Sequence, residues 1–368
     1  MARRRTTSAP LWTVDSPDTI MHGDNLAATA QLPDGAFQLI YLDPPFNTGR
    51  EQRFQSISTV RRPAAPAAAA EPDGADGAAS AEPTTAIEEA PADDASTILR
   101  RGFGGRDYTA VKRTLIRYDD RFADYWQFLE PRLAEAWRLL ADTGTLYLHL
   151  DYREAHYAKL ALDALFGREC FLNELIWAYD YGAKTARRWP AKHDTILVYV
   201  KNPRSYYFDA EAVDREPYMA PGLVTPEQAE RGKRPTDVWW HTIVPTSGRE
   251  RTGYATQKPE GVLRRIVQAS SAPGDWVLDF FAGSGTTGAV ATQLGRRALL
   301  IDEHADAVRI MRRRIPSARV VDADGVELPA DPLAESPAAG SSTEPTAQRI
   351  AKPTATSPEP QLAAERSA

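Results

Sequence analysis

The sequence predicts an α/β protein: a doubly wound, mostly parallel sheet with a further region inserted into it. Three observations carry this. Short continuous apolar runs such as "FQLIYL" (37–42) are the mark of strands buried on both faces. These runs alternate with stretches of helical periodicity, which argues for a parallel sheet covered on both sides. A glycine-rich turn, "DFFAGSGTTG" (279–288), follows one such strand and opens a helix.

Residues 1–18 read as a basic arm that includes Arg3, Arg4 and Arg5, and residues 19–57 as the first half of the folded domain, with its strand at 37–42. Residues 58–98 are expected to be a disordered linker: the stretch is mostly Ala, Pro, Gly and acid, and the prolines at 63, 66, 72, 83 and 91 break any alanine helix. Within 99–172, Tyr125, Phe128, Leu129, Leu133, Ala136, Trp137 and Leu140 recur at helical spacing. Asp142 to Gly144 should close that helix, "TLYLHL" (145–150) is the next strand, and 154–165 is helical again. Residues 251–322 continue the alternation, with strands at 275–281 and 297–301 and helices at 286–294 and 303–315. Residues 323–368 have the composition of a second disordered segment.

Residues 173–250 break the rhythm. One strand, "DTILVYV" (194–200), is clear. Around it Trp177, Tyr179, Tyr181, Trp189, Trp239 and Trp240 are interleaved with Lys184, Arg187, Arg188 and Lys192. Aromatic faces beside cations suit nucleic-acid contact. For any one of these residues, a small domain filling its own core with the aromatics is the preferred reading.

The 368 residues allow two or three domains, or one large domain with insertions. The formal charge of −6 is unevenly spread: 63–98 hold eight carboxylates and no Lys or Arg, and 322–368 carry a net −5. With both set aside the remainder is +7, which suits a polyanionic partner. The single cysteine, Cys170, excludes an intrachain disulfide and a zinc site built on two thiolates. No run of 18 apolar residues predicts a membrane-spanning helix, and the basic N-terminus lacks the apolar core of a secretory signal. A soluble, cytoplasmic protein is expected.

Four motifs carry chemistry. Asp43-Pro44-Pro45-Phe46 ends the 37–42 strand, the edge at which open α/β sheets bind ligands. Two prolines stiffen the loop and remove two backbone donors, so an Asp acceptor and a carbonyl can grip both hydrogens of an amino group while the aromatic ring stacks on a planar substrate. The turn at 279–288 lets a ligand approach the backbone at a helix N-terminus, and Asp302 ends the next strand at the offset of a ribose-binding acid. Gly283, Gly285 and Gly288 also satisfy the dinucleotide pattern, so a nicotinamide-dependent oxidoreductase stays open on this motif alone. "GDN" (23–25) and "TQKP" (256–259) are weak singly.

In order, "GDN…LIYLDPPFN…TQKP…DFFAGSGTT…ID" resembles the β-class amino-methyltransferases of DNA, as does the stretch 118–151. The resemblance covers roughly residues 19–57 and 107–321. It implies a Rossmann-like fold that binds S-adenosyl-L-methionine, with 173–250 as the target-recognition region and Lys184, Arg187, Arg188 and Lys192 as DNA contacts. Asp43, Pro44, Pro45 and Phe46 would be catalytic. Phe281, Gly283 and Gly285 would pack under the cofactor, with Asp279, Ser284 and Thr286 beside them. Asp302 would hold its ribose, Asp24 its adenine amine, and Thr256, Gln257 and Lys258 its methionine end. The implied reaction is methylation of an exocyclic amine in double-stranded DNA, with adenine N6 favoured because the loop begins with Asp, and with cytosine N4, RNA or protein glutamine as alternatives. Carbon-5 methylation is set aside, since Cys170 lies far from both motif loops. A cognate restriction endonuclease and a homodimer are further implied partners, and no metal is called for. The sequence departs from the family at Tyr254-Ala255, where His-Pro is usual, at Asp302, where Glu is common, and in the length of the linker.

Overall fold

The computed structural model describes residues 11–46, 50–61, 96–101, 107–120, 125–182 and 184–329; of 50–61, 96–101 and 107–120 it describes the backbone. All lie in the first of two units, Met1–Pro329, and the second, Ala330–Ala368, falls outside them. In chain order the elements are β1 (Thr19–His22), α1 (Asn25–Thr29), β2 (Phe37–Leu42), β3 (Arg50–Arg61), β4 (Ser96–Arg101), β5 (Asp107–Asp120), α2 (Tyr125–Leu139) and β6 (Leu140–Leu150). There follow α3 (Ala155–Phe166), β7 (Phe171–Ala178), β8 (His193–Val200), α4 (Pro226–Arg231), β9 (Val238–Trp240) and α5 (Glu260–Ser270). The chain continues through β10 (Trp276–Asp279), α6 (Thr286–Gln293), β11 (Arg297–Asp302), α7 (Ala305–Arg314) and β12 (Arg319–Asp322).

Nine strands form one sheet in the order β12-β1-β11-β10-β2-β6-β8-β7-β9. From β12 to β6 every pairing is parallel; β8 then runs antiparallel to both β6 and β7, and β9 is parallel to β7. The parallel strands are the apolar runs of the sequence, and Leu39, Ile40, Leu42, Val277, Leu278, Leu299 and Leu300 are fully buried. Leu129, Leu133, Ala136 and Leu162 of α2 and α3 cover one face. Val262, Leu263 and Ile266 of α5, with Val290 and Ala291 of α6, cover the other. This is the doubly wound α/β architecture, and truncating a fully buried residue such as Leu133 to Ala would cost about 2–5 kcal/mol. β3, β5 and β4 form a separate antiparallel sheet in that order.

The switch point lies between β2 and β10. From β2 the chain winds outward through α2 to β6, and from β10 it winds the other way through α6 to β11. The crevice beyond their carboxyl ends is where such sheets take ligands. The register Leu278↔Ile40 brings the Asp43 loop and the glycine-rich turn out at the same level, three residues past the paired positions.

Several boundaries differ from those expected. Leu11 and Trp12 belong to the core rather than to a basic arm: Trp12 stacks on Phe37 at 5.0 Å and meets Trp276 edge-on at 4.7 Å. Strands reach into both ends of the expected 58–98 linker, because "STVR" and "STI" carry β-branched residues that the Ala/Pro/acid centre outweighs in an average; residues 62–95 lie outside the described residues. α2 stops at Leu139 rather than at Asp142–Gly144, since Leu140 pairs with Phe37 and a register shift takes up the residues before Thr145. Residues 173–250 are not a separate region: β7, β8 and β9 extend the main sheet, and Trp177 and Trp239 are core. What stands off the sheet there is the loop 179–192 and the segment 201–237. The expected tail begins later than 323, because the Leu328 amide bonds the Val320 carbonyl at 2.8 Å and the Leu328 side chain packs beside α7; the remainder of that tail lies outside the described residues.

Candidate active site

The crevice at the switch point is lined by Asn25, Tyr41, Asp43, Pro44, Pro45, Phe46, Phe128, Arg132, Tyr254, Thr256, Lys258, Asp279, Phe281, Gly283, Ser284, Thr286, Asp302 and His304, among others. Two motif loops from distant parts of the chain therefore face each other across one cleft.

Asp43 leaves the end of β2 with its two carboxylate oxygens in different surroundings. Oδ2 accepts from Lys258 Nζ, which also lies 5.0 Å from the centre of the Phe46 ring. Oδ1 is buried and has no hydrogen-bond partner among the described residues. A buried carboxylate oxygen left without a donor costs about 1–3 kcal/mol or more, so a standing acceptor of this kind points to a donor that arrives with a ligand.

The glycine-rich turn is organised by two acids. Asp279, at the end of β10, accepts from Phe281 N at 3.0 Å and from Thr287 Oγ1 at 2.7 Å. Burial pushes its carboxyl up to about 7; the bonds from Thr287 and Phe281 oppose this, and the negative charges of Asp43 and Asp302 add to it. Asp302, at the end of β11, accepts from Gly283 N at 2.8 Å and from His304 N at 2.9 Å. A side-chain hydrogen bond to Asp302 is also the main reason the His304 imidazole is held above its usual range. Gly285 sits at φ +70°, a conformation open to glycine and strained for other residues, and it is the N-cap of α6.

A third group of residues ties α1 and α2 to this turn. Asn25 Nδ2 donates to the Phe280 carbonyl at 2.8 Å and Arg132 Nε donates to Asn25 Oδ1 at 2.7 Å. The Arg132 guanidinium lies 3.9 Å over the Phe128 ring. No site role follows from sequence for Asn25, the last residue of "GDN", or for Phe128 and Arg132, which lie within 118–151; the helical spacing of "YWQFLEPR" places the latter two one turn apart, a signal that could have found them.

The positions expected for the cofactor divide. Thr256, Lys258, Asp279, Phe281, Gly283, Ser284, Thr286 and Asp302 meet at the cleft. Asp24 instead caps α1, accepting from Ala27 N at 2.8 Å, and pairs with Arg132 at 3.2 Å. Gln257 turns away: its Oε1 accepts from Thr252 N at 2.8 Å and its Nε2 donates to the Glu250 carbonyl at 2.6 Å, so it braces the loop that carries its neighbours. Gly285 is set back from the cleft as the first residue of the helix cap. Lys184, Arg187 and Arg188 lie exposed on the loop 179–192 beside Trp189, which is 94% exposed, while Lys192 is half-buried and 3.8 Å from Asp180.

A family model described as DNA methylase, that of the N6/N4 methyltransferases, matches residues 37–313, from the start of β2 to the last turn of α7. The chain belongs to this DNA methylase family. Among curated members of the family, the type II methyltransferase M.HpaI of Haemophilus parainfluenzae is 30% identical over 213 residues, 58% of this chain and 65% of its own length. The DNA adenine methyltransferase YhdJ of Escherichia coli K12 is 27% identical over 308 residues, 82% of this chain and 83% of its own. The chain thus spans a little under two thirds of M.HpaI and most of YhdJ. Of solved methylase structures, the cytosine-N4-specific PvuII DNA methyltransferase aligns over 86% of this chain and 98% of its own at 12% identity, with a TM-score of 0.49. The M1.HpyAVI–SAM complex aligns over 81% and 98% at 17% identity, with a TM-score of 0.45.

Proposed function

We propose that this methylase transfers a methyl group from S-adenosylmethionine to the exocyclic amine of a base in double-stranded DNA, and that the base is adenine, methylated at N6. The observation that carries the reading is Asp43 Oδ1, a buried acceptor with no partner among the described residues, on a loop stiffened by Pro44 and Pro45.

The cleft suits the cofactor by its chemistry. Asp302 Oδ2 keeps a lone pair beyond its bond to Gly283, as a ribose hydroxyl needs. Phe281 offers a flat ring at the wall, and Asp279 places a carboxyl under the turn, where a cation is favoured over a neutral ligand. When bound, S-adenosylmethionine supplies a methyl group already activated on sulfur. The remaining task is alignment, which belongs to the chain.

Asp43 Oδ1 and the Pro44 carbonyl accept the two hydrogens of the amine. This favours a tetrahedral nitrogen whose lone pair is released from conjugation with the ring. Lys258 holds the other carboxylate oxygen of Asp43, so Oδ1 keeps its direction as the amine approaches. Phe46 stacks on the base, which has to leave the helix because an amine inside the duplex cannot reach the cleft. Adenine is favoured because the loop begins with Asp, a stronger acceptor than the Ser usual in cytosine-N4 enzymes, and because YhdJ, matched over most of its length, is named an adenine methyltransferase. DNA from cells with and without the protein, digested to nucleosides and separated by mass spectrometry, tests this. N6-methyladenine that depends on the protein is the expected result; N4-methylcytosine alone would overturn the choice of base.

A further inference from the structure

A row of polar side chains, buried at Tyr41, His149 and Asp194 and half-buried at Tyr179, runs across β2, β6 and β8 to the end of β7 just behind the cleft. It begins at Tyr41 on β2, whose hydroxyl lies 2.7 Å from His149 Nδ1 on β6. His149 Nε2 lies 3.2 Å from Asp194 Oδ2 on β8, and the hydroxyl of Tyr179, just past β7, donates to Asp194 Oδ1 at 2.9 Å. Tyr41 and His149 are almost wholly buried, at 1% and 0% exposure, where the neighbouring strand positions are apolar. An apolar row would be cheaper to bury, so retaining four polar groups calls for a use.

The direction of the bonds follows from Asp194. Burial favours its neutral form, but the bond from His149 and its charge, the charge of Lys258 and the bond from Tyr179 outweigh this and leave its carboxyl below the usual range. Asp194 is therefore an acceptor toward both neighbours. His149 donates through Nε2, and its Nδ1 shares the remaining bond of the row with the Tyr41 hydroxyl. Three bonds thus join the row end to end, and removing either tyrosine hydroxyl breaks it and leaves a neighbour's polar atom short of a partner.

The two ends of the row have different functions. Tyr41 lines the cleft, and the His149 ring lies 5.8 Å from Phe46, the stacking residue, at 37°. Tyr179 opens the basic loop 179–192, and its amide closes that loop by bonding the Lys192 carbonyl at 2.9 Å. We infer that Tyr179, Asp194, His149 and Tyr41 are positioning residues that couple the basic loop to the catalytic loop, so that seating of the loop on DNA sets the alignment of Tyr41 and Phe46. The inference rests on the proposed methylation of a DNA base.

The test is a double-mutant cycle with Tyr179→Phe and Tyr41→Phe, both of which remove one hydroxyl and keep the ring. The rate is read in single turnover on unmethylated genomic DNA with enzyme in excess, alongside affinity for DNA and for S-adenosylmethionine. Each single change should slow methylation by about tenfold, the loss of one bond in a buried network, with both affinities within about twofold of the parent. The double change should then be little worse than either alone, because the second cut falls on a row already broken. His149→Gln, which keeps one donor and one acceptor, should fall between the parent and Tyr41→Phe. Losses that multiply in the double variant, or a Tyr179→Phe enzyme at the parental rate, would overturn the coupling while leaving the methylation reading intact. If the parent enzyme itself leaves genomic DNA unmethylated, the reading beneath it fails, and the coupling with it.

Discussion

Replacing Asp43 by Asn is the most informative single perturbation of this site. The two side chains have the same shape, so the loop should keep its course. What changes is the charge and one acceptor. With the side chains of Asp43 and Lys258 only 15% and 11% exposed, neither can recover a water shell without moving. An Asn at 43 must turn its NH2 either toward the Lys258 ammonium or toward the incoming amine. In both orientations a donor faces a donor. The loss is that of one preorganised, charge-assisted hydrogen bond in a site that excludes water, about 2.7–4 kcal/mol, or roughly 10²–10³ in kcat. Cofactor affinity should change by less than about threefold, because the bonds that shape the turn run from Asp279 and Asp302, not from Asp43. Asp302→Ala should do the opposite, since it releases the Gly283 and His304 amides. Labelled-methyl transfer in single turnover gives the rate, and calorimetric titration with S-adenosylmethionine gives the affinity. An Asp43→Asn enzyme within tenfold of the parental rate, or an equal loss of cofactor affinity in the two variants, would refute the assignment.

Five further outcomes are expected. Because burial lifts Asp279 from 3.8 to about 7, affinity for the cationic cofactor should fall as pH drops through 7, and Asp279→Asn should flatten that dependence in calorimetric titrations from about pH 5.5 to about pH 8.5. The same shift means that the folded protein holds a proton the unfolded chain releases, so this group's contribution to stability without ligand should decline as pH rises from about 4 to 7, read as Tm against the Asp279→Asn variant. Gly288→Ala would set a methyl 2.5 Å from Leu300 Cδ1 and 2.9 Å from Ile315 Cδ1; the overpacking should cost about 1–3 kcal/mol and lower Tm by several degrees in thermal unfolding. Neutralising Arg187, Arg188 and Lys192 should make log affinity for DNA less steep against log salt, by up to about 0.9 for each phosphate that the loop no longer neutralises, and an unchanged slope would put the phosphate track elsewhere. Replacing 62–95 by about ten Gly/Ser residues and ending the chain after 329 should keep most of the methylation rate; its loss in a folded protein would give one of those segments a role in the reaction.

The elements legible in the sequence were those whose pattern is long or strictly apolar. β2, β10, β11 and the helices α2, α3, α6 and α7 fall close to their expected bounds because burial on both faces leaves an unbroken apolar run, and burial on one leaves a 3.6-residue period. The strands β1, β9 and β12 have three or four residues each, too few for a period to show. β7, "FLNELIWA", hid for another reason: it stood in a segment that mixes aromatics with cations and shows no clear alternation, although the preferred core reading of Trp177, and of Trp239 on β9, is what the structure shows. In the site, Asp43 and Lys258 were each readable, but their pairing across 215 residues of sequence was not. His149 was concealed by its surroundings, since a single histidine in "TLYLHL" reads as core until its two partners on other strands are seen. Asp24 and Gln257 show the converse, residues in the expected motif whose side chains serve the backbone nearby.

The position of β1 bears on how the chain is made. Thr19 is paired with Leu299 on one side and with Arg319 on the other, so both neighbours of β1 are synthesised long after it. At about 5–20 residues per second, roughly 15–60 s separate the emergence of β1 from that of its partners. Until then Ile20, wholly buried in the finished sheet, lacks Leu300, Met311 and Val320, which share its core cluster. A nascent chain of this topology cannot complete its sheet from the N-terminus forward, and a ribosome that stalls before residue 297 leaves an apolar strand with no place to go. Its demand for chaperones should thus be set by the order in which the strands appear, independently of how stable the completed sheet becomes.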